Sequence, residues 1–133
     1  MILSYVFYIA VFAFMNSEKY RKIQQKFDQL FGGNPILVRS PGRINMIGEH
    51  TDYNLGFVLP AAIDKEIIFC LSTNKSTRCN LYSFDMQQQY SFDLENPERA
   101  PLSWANYLIG VVVQLQQRGH NVPGFDCVFG GDI

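Results

Sequence analysis

The chain bends around one stretch, Pro41-Gly42-Arg43-Ile44-Asn45-Met46-Ile47-Gly48-Glu49-His50-Thr51-Asp52-Tyr53-Asn54, where a cation, two carboxylates and an imidazole crowd around two glycines and a proline. Glycine adopts backbone angles that other residues resist, and Pro41 fixes its own φ while restricting Ser40 before it. The stretch therefore reads as a polar site on loops, shaped for close approach of something small. Ionised carboxylates only accept hydrogen bonds, so they suit a ligand whose hydroxyls donate; an arginine or imidazolium supplies donors for the complementary lone pairs. A neutral, hydroxyl-rich ligand fits that equipment. Glu49, His50 and Asp52 also invite a metal ion, but a single histidine without His-Glu-x-x-His spacing argues against one held by these side chains. Taken alone, Arg43 would read as a surface arginine paired with Glu49 or Asp52.

On the N-terminal side, Tyr20, Ile23, Phe27, Leu30 and Phe31 recur at three- and four-residue intervals. They predict a helix of about 15 residues from Asn16, with its apolar stripe in the core and a left-handed cap at Gly32-Gly33. Asn34-Pro35 stops that helix, and Ile36-Leu37-Val38 is a short β-prone run that delivers Ser40 to Arg43 to the loop. Beyond the loop, Gly56 to Pro60 leads into Ala61-Ala62-Ile63, and Ile67 to Leu71 reads as a buried strand. A turn at Thr73 to Ser76 then predicts Cys79 to Phe84 as its antiparallel partner and Tyr90 to Leu94 as the third strand of a meander. Ser103 is the expected N-cap of a helix to about Arg118, with Tyr107, Leu108, Val111, Val112 and Leu115 on its apolar face and Gly119 ending it. Phe125 to Phe129 is a final strand. Strands with interspersed helices imply an α+β domain built on a mixed sheet.

Residues 1–15, MILSYVFYIAVFAFM, are nearly all apolar, and the composition turns polar at Asn16. The segment is shorter than the roughly 20 apolar residues of a spanning helix, and it lacks the cationic start and small-residue cleavage site of a secretory signal. It reads as an apolar leader or an extension upstream of a natural start at Met15; a membrane-associating leader and a segment packed on the domain are the alternatives. Residues 16–133 then form one domain, which this length supplies with a sizeable core. A net charge of -1 without any basic run leaves nucleic acid and anionic membranes no electrostatic footprint. Cys70, Cys79 and Cys127 are odd in number and lack Cys-x-x-Cys spacing, which argues against a disulfide framework or a zinc site and for buried thiols in a reducing cytoplasm.

From Gly42 to Tyr53 the sequence fills every fixed position of Gly-Arg-x-Asn-aliphatic-Ile-Gly-Glu-His-x-Asp-Tyr and so closely resembles the signature of galactokinases, members of the GHMP small-molecule kinases. The likeness extends from about Phe27 to Ile133. It implies the GHMP kinase N-terminal domain, related to the ribosomal S5 domain 2-like fold, as part of a longer, monomeric enzyme. Such a parent transfers the γ-phosphoryl group of ATP to O1 of α-D-galactose with Mg²⁺. By this resemblance Arg43 stabilises the transition state, where its charge favours negative charge developing on oxygen. Glu49, His50, Thr51 and Asp52 form the sugar-binding stretch, with Tyr53 supporting the loop. Trp104 and Tyr107 match a Trp-x-x-Tyr pair near the adenine pocket, and Ser83 matches a nucleotide contact.

The family's phosphate loop, Gly-x-Gly-Leu-Ser-Ser-Ser-Ala, is expected just after Ile133, and the family's aspartate base well beyond it. The 133-residue chain is therefore expected to be an N-terminal part without kinase activity of its own. The resemblance leaves open a kinase for a related sugar such as N-acetylgalactosamine or arabinose, a galactose sensor without catalysis, and a truncated product. Because the polarity changes abruptly at Asn16, removing residues 1–14 is expected to hold or raise soluble yield and melting temperature. Loss of cooperative unfolding in the shortened chain would mean instead that the segment packs on the domain.

Overall fold

The computed structural model describes residues 18–48 and 50–132; the apolar segment 1–15 and Glu49 lie outside the described residues, and of Asp52 only the backbone is described. Helix α1, Glu18–Leu30, buries Tyr20, Ile23 and Phe27 along the predicted stripe. It ends as its glycines require: Gly32 and Gly33 have φ of +68° and +88°, and the Gly32 amide donates to the Phe27 carbonyl at 3.3 Å. Five strands follow, β1 (Ile36–Ile47), β2 (Leu59–Thr73), β3 (Arg78–Ser83), β4 (Gln88–Asp93) and β5 (Phe125–Gly131), with helix α2 (Ser103–Gln117) before the last. They form one sheet in the order β1-β2-β5-β3-β4, antiparallel except for the parallel pair β3 and β5. The expected α+β class and mixed sheet are what the chain adopts.

Alternation along the strands sorts the core into two layers. Ile68 and Cys70 of β2 and Val128 of β5 meet Ile23 and Phe27 of α1, all fully buried. On the other face Cys79 and Leu81 of β3, Phe92 of β4 and Cys127 of β5 meet Trp104, Ala105, Ile109 and Val112 of α2. Each such aliphatic or aromatic side chain contributes about 1.5–3 kcal/mol by leaving water. The three cysteines are free and buried, as expected; burial pushes the thiols of Cys70 and Cys79 up to about 11 and that of Cys127 to about 12. They are protonated and inert at neutral pH.

Three expectations are corrected. The polar stretch is only partly loop, because β1 runs through Pro41 and Gly42 to Ile47, paired with β2 across irregularities between Pro41 and Arg43 and between Asn45 and Ile47. A proline is tolerated there because β1 is the sheet edge. The meander is broken: β3 pairs with β4 and β5, and β5 separates it from β2. The segment between β2 and β3 wraps the start of β5, with the Asn74 amide donating to the Gly124 carbonyl at 3.0 Å and the Gly124 amide to the Ser76 carbonyl at 3.1 Å. Asp126 then accepts from the side chains of Asn74 and Asn80, at 2.8 and 2.7 Å. Turn residues thus mark the reversal without saying which strands become neighbours.

The third correction concerns α2, which starts with Ser103 inside the helix and Leu102 at the cap. Asn106 replaces the cap chemistry by reaching back, its carbonyl oxygen accepting from the Ala100 amide at 2.8 Å and its amide donating to the Ala100 carbonyl at 3.0 Å. The helix is apolar nearly all round, so periodicity alone did not select a face; docking buries Trp104, Ala105, Ile109 and Val112 and leaves Tyr107 79% and Val111 61% exposed.

The end of β5 is held by several polar contacts. Asp132 accepts from the Glu66 amide at 2.8 Å and pairs with Lys19 of α1 at 2.8 Å, a contact that holds its carboxyl below the usual carboxylate range. Arg39 of β1 pairs with Glu66 beside it. A Cβ on Gly131 would lie 2.1 Å from the Glu66 carbonyl oxygen, whereas one on Gly110 in α2 would meet nothing within 4 Å. Gly131→Ala is therefore expected to destabilise by about 1–3 kcal/mol through overpacking, and Gly110→Ala to stabilise by about 0.4–1 kcal/mol, both read as shifts of the urea midpoint.

Candidate functional site

The β1–β2 connection carries most of the polar signature. Arg43 lies on β1 opposite Ala62, with its side chain exposed. Beyond Ile47 the chain turns at Gly48, whose φ of +105° and lack of room favour glycine: a Cβ there would sit 2.6 Å from the Phe57 carbonyl oxygen. Thr51 is the hub. Its hydroxyl lies 2.8 Å from the Gly48 carbonyl oxygen and 3.1 Å from that of Phe57, and its own carbonyl accepts from the amides of Asn54 and Gly56 at 3.0 and 2.8 Å. The 3₁₀ turn Asp52–Asn54 follows, so Asp52 leads a short rigid segment rather than a free loop. His50 stands at φ +65° with Nδ1 2.6 Å from the Tyr53 hydroxyl, and Asn54 donates to the His50 carbonyl at 2.8 Å.

A second feature lies on the α2 face. An apolar cavity of about 1020 Å³ opens between α2 and the sheet, and its lining includes Ser83, Asp85, Trp104 and Tyr107 together with Phe69 and Phe129. The structure thus brings Ser83, Trp104 and Tyr107 to one cavity. Ser83 is 3% exposed; Trp104 donates from Nε1 to Gln88 Oε1 at 2.9 Å and its ring centroid is 5.5 Å from that of Phe129. Among the described residues no lysine or arginine lines the cavity, so it suits a flat apolar group and offers a phosphate chain no cation from these residues. Arg43, His50 and Thr51 do not line it. The two features share the β1–β2 ladder, whose far end, Ile36 opposite Leu71, borders the cavity.

A family model described as the galactokinase galactose-binding signature matches residues 25–73, the end of α1 and the whole β1–β2 hairpin. A galactokinase of Roseiflexus sp. (strain RS-1) is 36% identical over 113 residues, which are 84% of this chain and 29% of that protein. Over these residues the chain is similar to galactokinases. The crystal structure of Lactococcus lactis galactokinase complexed with galactose matches with a TM-score of 0.76 and 34% identity, covering 85% of this chain and 31% of that one. The chain therefore spans about three tenths of the length of these relatives. The fold is also that of Methanococcus jannaschii mevalonate kinase, at a TM-score of 0.58 and 15% identity over 76% of this chain and 33% of that one, in keeping with a partial GHMP kinase N-terminal domain.

Several residues of this chain that matter here gave no sequence signal. Gln88 looks like a strand-start polar residue, yet it fixes the Trp104 indole. Asp85 looks like a turn residue, yet its carboxylate accepts from the Gly131 amide at 2.8 Å at the cavity rim. Both contacts are long-range, and only Asn54, next to the signature, was within reach of local reasoning. Thr51→Val keeps the side chain's shape and removes its hydroxyl. It is expected to speed amide exchange at Thr51, Asn54 and Gly56 by about five- to tenfold, while exchange at Ile68 and Val128 stays unchanged.

Proposed function

We propose that this chain is the sugar-recognition part of an ATP-dependent galactokinase, which transfers the γ-phosphoryl group to O1 of α-D-galactose. The observation that carries the reading is the coincidence of the galactose-binding signature, residues 25–73, with one hydrogen-bonded hairpin bearing Arg43, His50 and Asp52. Galactose is neutral and rich in hydroxyls, so Glu49 and Asp52 accept from them while His50 adds a polar contact. Thr51 serves the site by tying Gly48 and Phe57 together around it. Arg43 holds a fixed positive charge beside the acceptor oxygen and the transferred group, where it favours the charge that develops in the transition state.

Trp104, Tyr107 and Ser83 border an apolar cavity suited to the adenine of ATP, with Trp104 a wall of the core rather than a mobile ligand. Among the described residues the cavity offers the triphosphate no cation. No group of three His, Cys, Asp or Glu among the described residues could hold a metal ion. No helix among the described residues is long and apolar enough to cross a membrane. We place the protein in the cytoplasm as a monomer, with galactose and ATP as partners and neither nucleic acid nor membrane. A galactose sensor and a kinase for a related sugar gain no support from relatives that carry the galactokinase name.

The test is Asp52→Asn in a galactokinase-length protein bearing this segment. The exchange keeps size and removes a charged acceptor; a charge-assisted hydrogen bond contributes about 1.5–3 kcal/mol, so galactose binding is expected to weaken about ten- to a hundredfold with ATP binding unmoved. Unaltered galactose affinity in a calorimetric titration would sink the assignment.

A further inference from the structure

His50 occupies the left-handed region, φ +65°, where a non-glycine residue stays only if its surroundings hold it. Two side chains do so. Asn54 Nδ2 donates to the His50 carbonyl at 2.8 Å, and the Tyr53 hydroxyl lies 2.6 Å from His50 Nδ1, with the rings 6.0 Å apart and inclined by 74°. Tyr53 is 69% exposed, so the contact adds little burial to the fold and its effect falls on the imidazole. Which ring nitrogen of a neutral histidine carries the proton is set by the hydrogen bond made at the other. Among the described residues Nε2 has no hydrogen-bond partner.

We propose that Tyr53 is a positioning residue that fixes both the orientation and the tautomer of His50. Its phenol donates to Nδ1, the ring proton stays on Nε2, and Nε2–H is presented as the donor of a site whose carboxylates, Glu49 and Asp52, only accept. A hydroxyl that donates to a carboxylate keeps lone pairs that need such a donor. The clamp from Asn54 holds the backbone at the angle that keeps the ring against Tyr53. The role in ligand binding rests on the galactose reading above; the effect on the ring does not.

The test uses the 133-residue chain with ¹⁵N-labelled histidine, His50 being told from His120 by a His120→Gln variant. Long-range proton–nitrogen correlation at neutral pH is expected to show His50 as a single Nε2-protonated tautomer, and Tyr53→Phe to turn it into a mixture while the rest of the amide spectrum holds. Galactose titrated into galactokinase-length proteins with and without the Tyr53→Phe exchange is expected to bind the variant about five- to tenfold more weakly, the loss of one neutral hydrogen bond's organisation. An Nδ1-protonated ring in the unaltered chain would overturn the proposal. So would a Tyr53→Phe protein with the same tautomer signature. If the ring behaves as expected but a galactokinase-length protein bearing this segment takes up no galactose, the positioning role stands and the sugar reading fails.

Discussion

Placing β5 between β2 and β3 pairs both of its edges at once and sets a helix against each of its faces, and the rest of the domain is arranged to make that possible. Its backbone groups pair on one side with antiparallel β2 and on the other with parallel β3. Val128 faces α1, while Cys127 and Phe129 face α2. A strand so enclosed can be apolar at nearly every position, as Phe125-Asp126-Cys127-Val128-Phe129 is, provided its one charged side chain is answered. Asn74 and Asn80 answer Asp126. The far end is answered twice more, by Asp85 on the Gly131 amide and by Asp132 against Glu66 and Lys19.

The hairpin of β1 and β2 has the opposite character. Its tip carries large apolar side chains in water, with Leu55 and Phe57 fully exposed, and so draws no order from burial. Order comes from short-range hydrogen bonding centred on Thr51, on glycines placed where a Cβ would collide, and on a 3₁₀ turn. The site side chains thus hang from a framework that owes little to the core. Rigid main chain beneath exposed polar groups is the arrangement a selective small-ligand site needs, because the ordering entropy is spent in folding rather than in binding.

Much of this was legible because local rules were enough. The α1 stripe and its glycine cap, the buried cysteines, the α+β class and the polar centre all follow from spacing and residue type. The strand order was not legible, since the turn at Thr73 to Ser76 looks the same whether its strands touch or admit β5 between them. The face of α2 was hidden by excess: with Tyr107, Val111 and Leu115 as apolar as Ile109 and Val112, only the sheet could choose. For the site, the signature brought forward its own residues, while Asp85 and Gln88 act across long sequence separations that no window contains.

The chosen strand order also has a consequence for how the molecule is made. β2 and β3 are complete by Ser83, yet the strand that joins them starts only at Phe125. While a ribosome extends the chain through β4 and α2, each of the two carries a bare row of amides and carbonyls where β5 will later lie, flanked by Ile68, Cys70 and Leu81. Pairing that must wait for distant residues is slow, and open edges beside apolar side chains are templates for other strands. A β5 from a neighbouring nascent chain meets the same complementary slot, so crowded synthesis favours exchange of this strand between copies, and chaperone cover is most valuable before the slot is filled.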